Sequence, residues 1–210
     1  RQGQAGGRQV VTPNPEFLLA AQHDEEFFYV LNNADLAIPD GIGLKIVSWF
    51  LACPERSRRG CNLQRISGAD LVRDILRIAE EGGLQVGIVN WSGGLSSADD
   101  IRRALKEKYP KLQVAVEDGE KLTSPHPPFK GGQGGLKIDI LFCTFGAPEQ
   151  DKFIYHALKE TPSIKLGMGV GGSFDFLTGK IRRAPKPLRL IGLEWFWRLI
   201  IQPWRWKRIF

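Results

Sequence analysis

The sequence predicts an α/β fold in which one parallel sheet carries helices on both faces. Two observations lead there. From Leu84 onward, short β-branched or apolar segments alternate with longer amphipathic ones that have helical spacing. Several strand segments, such as Val86–Val89 and Ile140–Phe142, lack the polar alternation of a half-exposed strand, as strands covered on both sides do.

Taken in order, Val10-Val11 is a short strand that stops at Thr12-Pro13-Asn14. Asn14 is placed to cap a helix from Pro15 to about Gln22, and Asp24 to cap a second from Glu25 to about Asn32. Leu36-Ala37-Ile38 is another short strand, stopped by Pro39 and followed by Asp40-Gly41-Ile42-Gly43. Gly41 to Leu51 has a helical pattern, whereas residues 53–64 break every periodicity and read as an irregular loop. Ser67-Gly68-Ala69-Asp70 is a capping-box pattern heading a helix to about Glu81. A strand at Gln85–Val89, a turn at Ser92-Gly93-Gly94, a helix at Ala98–Lys108 and a strand at Leu112–Val116 follow. Residues 119–136, with Pro125, Pro127, Pro128 and a Gly-Gly-Gln-Gly-Gly run, read as a loop. A strand at Ile138–Phe142, a helix at Pro148–Lys159 and a strand at Ile164–Met168 complete the alternation.

Composition narrows the class. A chain of 210 residues suffices for one full core and an appendage. Its 42% hydrophobic and 25% charged content is that of an ordinary globular domain. No apolar run reaches the ~20 residues of a membrane-spanning helix. No secretory leader is recognisable, which sets the expectation of a cytoplasmic protein; Arg1 in place of Met sets the expectation of further chain upstream. Cys53, Cys61 and Cys143 are odd in number and widely spaced, so neither a disulfide framework nor a metal site is expected. His23, His126 and His156 lie in dissimilar segments, and no metal is assigned to them. Of the chain's 29 Lys/Arg and 23 Asp/Glu, residues 180–210 hold nine and one, so the net charge of +6 belongs to the tail.

Three regions are candidates for chemistry. In open α/β sheets, ligands bind where strands end and helices begin. The two early junctions bring Thr12, Asn14 and Asp40 towards one crevice, although Asp-Gly also suits a simple turn and Asn14 a simple cap. Gly167-Met-Gly-Val-Gly171-Gly172 meets a Gly-x-Gly-x-x-Gly pattern without a following βαβ unit; its glycines serve either close packing or N–H donation to a diphosphate. In Gly146-Ala-Pro-Glu-Gln150, Gln150 either turns its amide to a ligand or is solvated, and Arg65 either pairs with phosphate or lies in water. The third region is the tail. Trp195, Phe196, Trp197, Trp204, Trp206 and Phe210 are interleaved with Arg189, Arg198, Arg205, Lys207 and Arg208. Leu193, Phe196, Leu199 and Ile200 recur at helical spacing, and Pro203 kinks or ends that helix. Basic residues among tryptophans suit an anionic membrane surface, with a helix docked on its own domain or an oligomer contact as the alternatives. No nucleic-acid motif accompanies the patch.

Together these segments resemble the WecG/TagA/CpsF family of bacterial glycosyltransferases, glycosyltransferase family 26. The resemblance rests on Thr-Pro-Asn at 12–14, Pro-Asp-Gly-Ile-Gly at 39–43, Arg-Ile-Ser-Gly-Ala-Asp-Leu at 65–71 and Gly-Ala-Pro-Glu-Gln at 146–150. It continues through Met-Gly-Val-Gly-Gly-Ser-Phe-Asp at 168–175, Arg-Ala-Pro at 183–185, Gly-Leu-Glu-Trp at 192–195, Arg198 and Pro203. It implies a Rossmann-like parallel sheet over residues 1–187 and a basic, Trp-rich helical appendage over 188–210. It also implies inverting, metal-independent transfer of a sugar, often N-acetylmannosamine or its uronic acid, from a UDP donor. The acceptor would be a polyprenyl-diphosphate-linked sugar at the inner face of the cytoplasmic membrane, with no cofactor and no nucleic acid. A glucose- or glucuronate-type donor, a catalytically silent membrane-binding homologue and a homo-oligomer stay open.

The resemblance makes Asp40 the catalytic base with Thr12 beside it. It places Arg65 in the pocket, and Arg198, Arg205 and Arg208 at the diphosphates. Asn14, Gly41, Gly43, Gln150, Gly171, Gly172 and Asp175 complete the expected substrate contacts. Relative to the family, a strand and helix ahead of Thr12 are missing, and residues 53–64 and 123–135 read as insertions that interrupt no motif.

Overall fold

A computed structural model of the chain describes residues 6–40, 43–44, 66–119, 137–190 and 193–203. Its strands are β1 (Arg8–Val11), β2 (Leu36–Ala37), β3 (Gln85–Trp91), β4 (Gln113–Gly119), β5 (Ile140–Cys143) and β6 (Leu166–Gly169). They form one sheet in the order β2-β1-β6-β5-β3-β4, and every adjacent pair is parallel. The helices are α1 (Pro15–Ala21), α2 (Glu25–Asn33), α3 (Gly68–Gly82), α4 (Ala98–Lys108) and α5 (Glu149–Glu160). After β6 come a 3-10 turn (Gly171–Ser173), α6 (Phe174–Leu177), α7 (Lys186–Leu190) and α8 (Glu194–Ile201).

Strand side chains alternate between two cores, because successive residues of a strand point to opposite faces. On one face Val86, Ile88, Ile140, Phe142 and Met168 meet Val72 and Leu76 of α3 and Ile101 and Leu105 of α4. On the other, Val89, Leu141 and Cys143 meet Phe153, Ile154 and Leu158 of α5. Every residue of β5 is therefore buried, which explains its unbroken apolar run. Cys143 is a core residue as expected, and burial pushes its thiol pKa up. Packing of β6 against α5 leaves no room for a side chain at Gly167, where a Cβ would come 2.5 Å from Ile154 Cγ2.

The connections place the site. The helix joining β3 to β4 and the helix joining β5 to β6 lie on opposite faces, although β3 and β5 are neighbours. The chain therefore has a topological switch point between β3 and β5, the place where open α/β sheets bind ligands. A polar network joins the ends of β3, β4 and β5 there. Thr144 Oγ1 accepts from Trp91 N–H at 2.8 Å and donates to Asn90 Oδ1 at 3.0 Å, while Asn90 Nδ2 donates to Asp118 Oδ1 at 2.7 Å.

Both early caps form as read: Asn14 Oδ1 accepts from Phe17 N–H at 3.1 Å, and Asp24 Oδ1 from Phe27 N–H at 2.9 Å. Three local expectations are corrected. The strand expected from Ile138 begins at Ile140, because the Asp139 carboxylate accepts Gln85 N–H at 3.0 Å and pairs with Lys165 at 2.8 Å. Pro148 is the N-cap of α5 rather than a residue of its first turn. Ser67 heads α3 without closing a capping box, since its hydroxyl and the Asp70 carboxylate both bind Arg183. The helix expected at Gly41–Leu51 lies outside the described residues except for Gly43 and Leu44, which are helical. The irregular segments at 53–64 and 123–135 lie outside them as well.

Candidate active site

Thr12 and Asp40 lie just beyond the ends of the neighbouring strands β1 and β2. Beyond the β1–β2 ladder the two segments stay paired: Ile38 N–H donates to Val11 O and Asp40 N–H to Pro13 O, each at 2.9 Å. Asp40 is therefore held at the level of Thr12 by backbone bonds and not by a flexible turn. Both side chains face the first turn of α3. A Cβ built on Gly68 would lie 3.9 Å from Thr12 Oγ1 and 4.0 Å from Asp40 Oδ2. Gly68 is buried, and the room it leaves between the hydroxyl and the carboxylate is about that of a methyl group. Gly43 lies against Pro15, and Asn14 is occupied as the α1 cap.

A second group gathers at the end of β6. Gln150 is buried, contrary to a solvated side chain, and its Oε1 accepts from Gly146 N–H at 3.1 Å and Gly171 N–H at 2.9 Å. It thereby clips the β5 and β6 loops together. Gly169 is in close packing, because a Cβ there would reach the Gln150 side chain at 2.6 Å. Gly171 has φ of +46°, a conformation that favours glycine. At Gly172, a Cβ would come 2.8 Å from Asp175 Oδ2 and 3.3 Å from Arg198 Nη2. Asp175 is oriented by Ser96, whose hydroxyl donates to Oδ1 at 2.7 Å. Arg198 donates from Nη2 to Gly172 O at 3.1 Å, and its Cζ lies 4.5 Å above the centre of the Phe176 ring.

The first turn of α3 joins the two groups. Gly68 faces Thr12 and Asp40, while Ser67 and Asp70 bind Arg183. Arg183 in turn binds Glu194 of α8 at 3.0 Å, and α8 carries Arg198 to Gly172. Hydrogen bonding to the Arg183 guanidinium holds the Asp70 carboxyl below the usual carboxylate range. The sequence reading gave Gly68, Ser96, Arg183 and Glu194 no individual roles. One signal was available for Glu194, the only acid among nine basic residues of the tail.

Helix α8 is docked on its own domain, one of the alternatives read from the tail. Glu194, Arg198 and Trp197, whose Nε1 donates to Arg182 O at 3.2 Å, dock it on the domain. Trp195, Phe196 and Ile200 are exposed. The helix ends at Ile201, so Pro203 follows its end rather than kinking it. No helix among the described residues is long and apolar enough to cross a membrane. Among those residues, no group of three or more His, Cys, Asp or Glu is arranged to hold a metal ion. Gly41, Arg65, Trp204, Arg205, Trp206 and Arg208 lie outside the described residues.

A carboxylate beside a hydroxyl at one end, and a guanidinium at the other, suit proton removal coupled to departure of an anion. Comparison with known proteins points the same way. The sequence model of the glycosyl transferase WecG/TagA/CpsF family matches residues 1–210. The N-acetylglucosaminyldiphosphoundecaprenol N-acetyl-beta-D-mannosaminyltransferase of Bacillus subtilis (strain 168) is 29% identical over 213 residues, covering 97% of this chain and 75% of that protein. The enzyme of the same name from Bacillus spizizenii (strain W23) is 31% identical over 213 residues, with the same coverage.

Proposed function

Since the chain belongs to the WecG/TagA/CpsF family of glycosyltransferases, we propose that it moves a sugar from a UDP donor to a polyprenyl-diphosphate-linked sugar acceptor. N-acetylmannosamine, the sugar in the names of the two Bacillus relatives, or its uronic acid is the sugar we assign. The observation that carries the reading is the convergence of Thr12 Oγ1 and Asp40 Oδ2 on the first turn of α3 at Gly68.

In this reading Asp40 takes the proton of the acceptor hydroxyl as its oxygen bonds to the anomeric carbon. The bond from that carbon to the UDP oxygen breaks, the configuration inverts, and UDP leaves carrying the negative charge. Thr12 orients the hydroxyl. Arg198, joined by Arg65, Arg205 and Arg208, matches the departing charge without a metal, as guanidinium groups do for phosphate oxygens. Gly171, Gly172 and Asp175 line the donor pocket, Gln150 holds its loops in place, Asn14 and Gly43 shape the side nearest Asp40, and Gly41 is assigned to substrate binding with them. Residues 188–210 form an appendage to the Rossmann-like domain of residues 1–187. That appendage lies on the inner face of the cell membrane through the apolar side of α8.

Incubation of the full chain with a panel of UDP-sugars and a short polyprenyl-diphosphate-N-acetylglucosamine tests the reading. Transfer from UDP-N-acetylmannosamine or its uronate, undiminished by EDTA, is expected. Transfer from glucose or glucuronate donors alone would replace the assigned sugar, and a folded protein that transfers none would be a silent homologue. Co-sedimentation with anionic vesicles at low salt tests the appendage, and absence of binding would overturn the membrane role.

A further inference from the structure

We propose that Arg183 is a positioning residue for sugar transfer, acting through Glu194 to hold Arg198 at Gly172. This inference rests on the function proposed above. The guanidinium is enclosed, with its side chain only 15% exposed and that of Glu194 12%. Its donors are divided between two parts of the chain. Nη1 and Nη2 bind the two Asp70 oxygens at 2.6 and 2.7 Å, and Nη2 also reaches Ser67 Oγ at 3.1 Å. Nε, on the other edge of the group, donates to Glu194 Oε1 at 3.0 Å. Only a planar fork of fixed geometry makes these bonds together, and a lysine at this position would not.

The consequence for the site follows from helix spacing. Glu194 and Arg198 are four residues apart on α8 and so share one side of the helix. Fixing Glu194 on Arg183 fixes the height and rotation at which Arg198 meets Gly172 O and the Phe176 ring. The other end of the fork grips the first turn of α3, next to Gly68 with its neighbours Thr12 and Asp40. Arg183 therefore ties the guanidinium that meets the leaving group to the turn that borders the base. A slip of one helical turn, about 5.4 Å, would carry Arg198 away from Gly172.

The test uses Glu194→Gln and Arg198→Gln, singly and together, in the full chain. Glu194→Gln leaves the Asp70–Arg183 pair in place, so the fold is retained. Hydrogen exchange of residues 194–201 should quicken in Glu194→Gln, while residues 98–108 stay as protected as in the parent. With UDP-N-acetylmannosamine and the short diphosphate acceptor, kcat should fall roughly 10- to 100-fold with KM for the acceptor little changed. The double variant should be no slower than Arg198→Gln alone, because one change acts through the other. Unaltered exchange at 194–201, or rate losses that multiply in the double variant, would overturn the positioning role. Failure of the unmodified protein to transfer any sugar overturns the functional reading instead, a result separate from multiplying losses in an active parent.

Discussion

Ser67-Gly-Ala-Asp70 and Ser97-Ala-Asp-Asp100 head two helices on the same face of the sheet with the same Ser-x-x-Asp pattern. At α4 the pattern closes on itself: Ser97 Oγ accepts Asp100 N–H and Asp100 Oδ2 accepts Ser97 N–H, both at 3.2 Å. At α3 it stays open, because Arg183 offers Asp70 two charged hydrogen bonds and Ser67 a third. Those bonds pair the carboxylate with a full positive charge, where the box would offer it only a backbone N–H. The closed box caps its own helix, and its Asp100 carboxylate also meets Lys180 at 3.2 Å near the surface. The open one ties its helix to residues more than a hundred positions away, and its glycine faces Thr12 and Asp40. Two identical local patterns thus divide into a structural terminus and one built into the candidate site.

The contrast is most sharply tested at Asp40. Replacing it by Asn keeps its size and removes its basicity, so turnover should fall by roughly 10²- to 10⁴-fold with donor binding retained. Near-normal turnover would reduce Asp40 to a turn residue and the α3 terminus to a second scaffold. Next in size is Gly68→Ala. A methyl group fits there at ordinary contact distance but fills the space between Thr12 and Asp40. Turnover should drop about 100-fold from misplacement of the acceptor, while helix propensity favours Ala by about 1 kcal/mol. A lowered melting temperature or an unchanged rate would contradict this placement of Gly68.

Ser97→Ala is the matching experiment on α4. Loss of that cap should cost about 1 kcal/mol of stability and leave kcat as it was. If kcat changed with stability intact, the two helix termini would not differ in kind.

The smallest effect is in the titration of the two aspartates. Both carboxyls lie below the ordinary aspartate value of 3.8, Asp70 through Arg183 and Asp100 through the Ser97 backbone N–H. A carboxyl with a depressed folded pKa stabilises the protein fully above its unfolded value, and that contribution is lost as pH falls through the folded one. Both contributions should therefore fade on acidification below 3.8. In Arg183→Gln, NMR titration should find Asp70 returned towards the ordinary range and Asp100 unmoved. A shift of both would mean that the boxes share one electrostatic environment.

What the sequence determined by itself is whatever depends on near neighbours. The alternation of strand and helix, the fully buried β5, the Asn14 and Asp24 caps and the limits of α4 were legible because periodicity and capping act within a few residues. The two strand-to-helix junctions were legible for the same reason, and with them Thr12 and Asp40 as candidates. Tertiary structure decided the rest. It diverted Ser67 and Asp70 from a local cap to a guanidinium 116 and 113 residues away, and brought Glu194 within reach of Ser67 across 127 residues. It also turned Gln150 inward as a clip between two loops and set Arg198 over Gly172. Such contacts leave no mark at short spacing, since they arise only when the sheet has brought distant strand ends side by side.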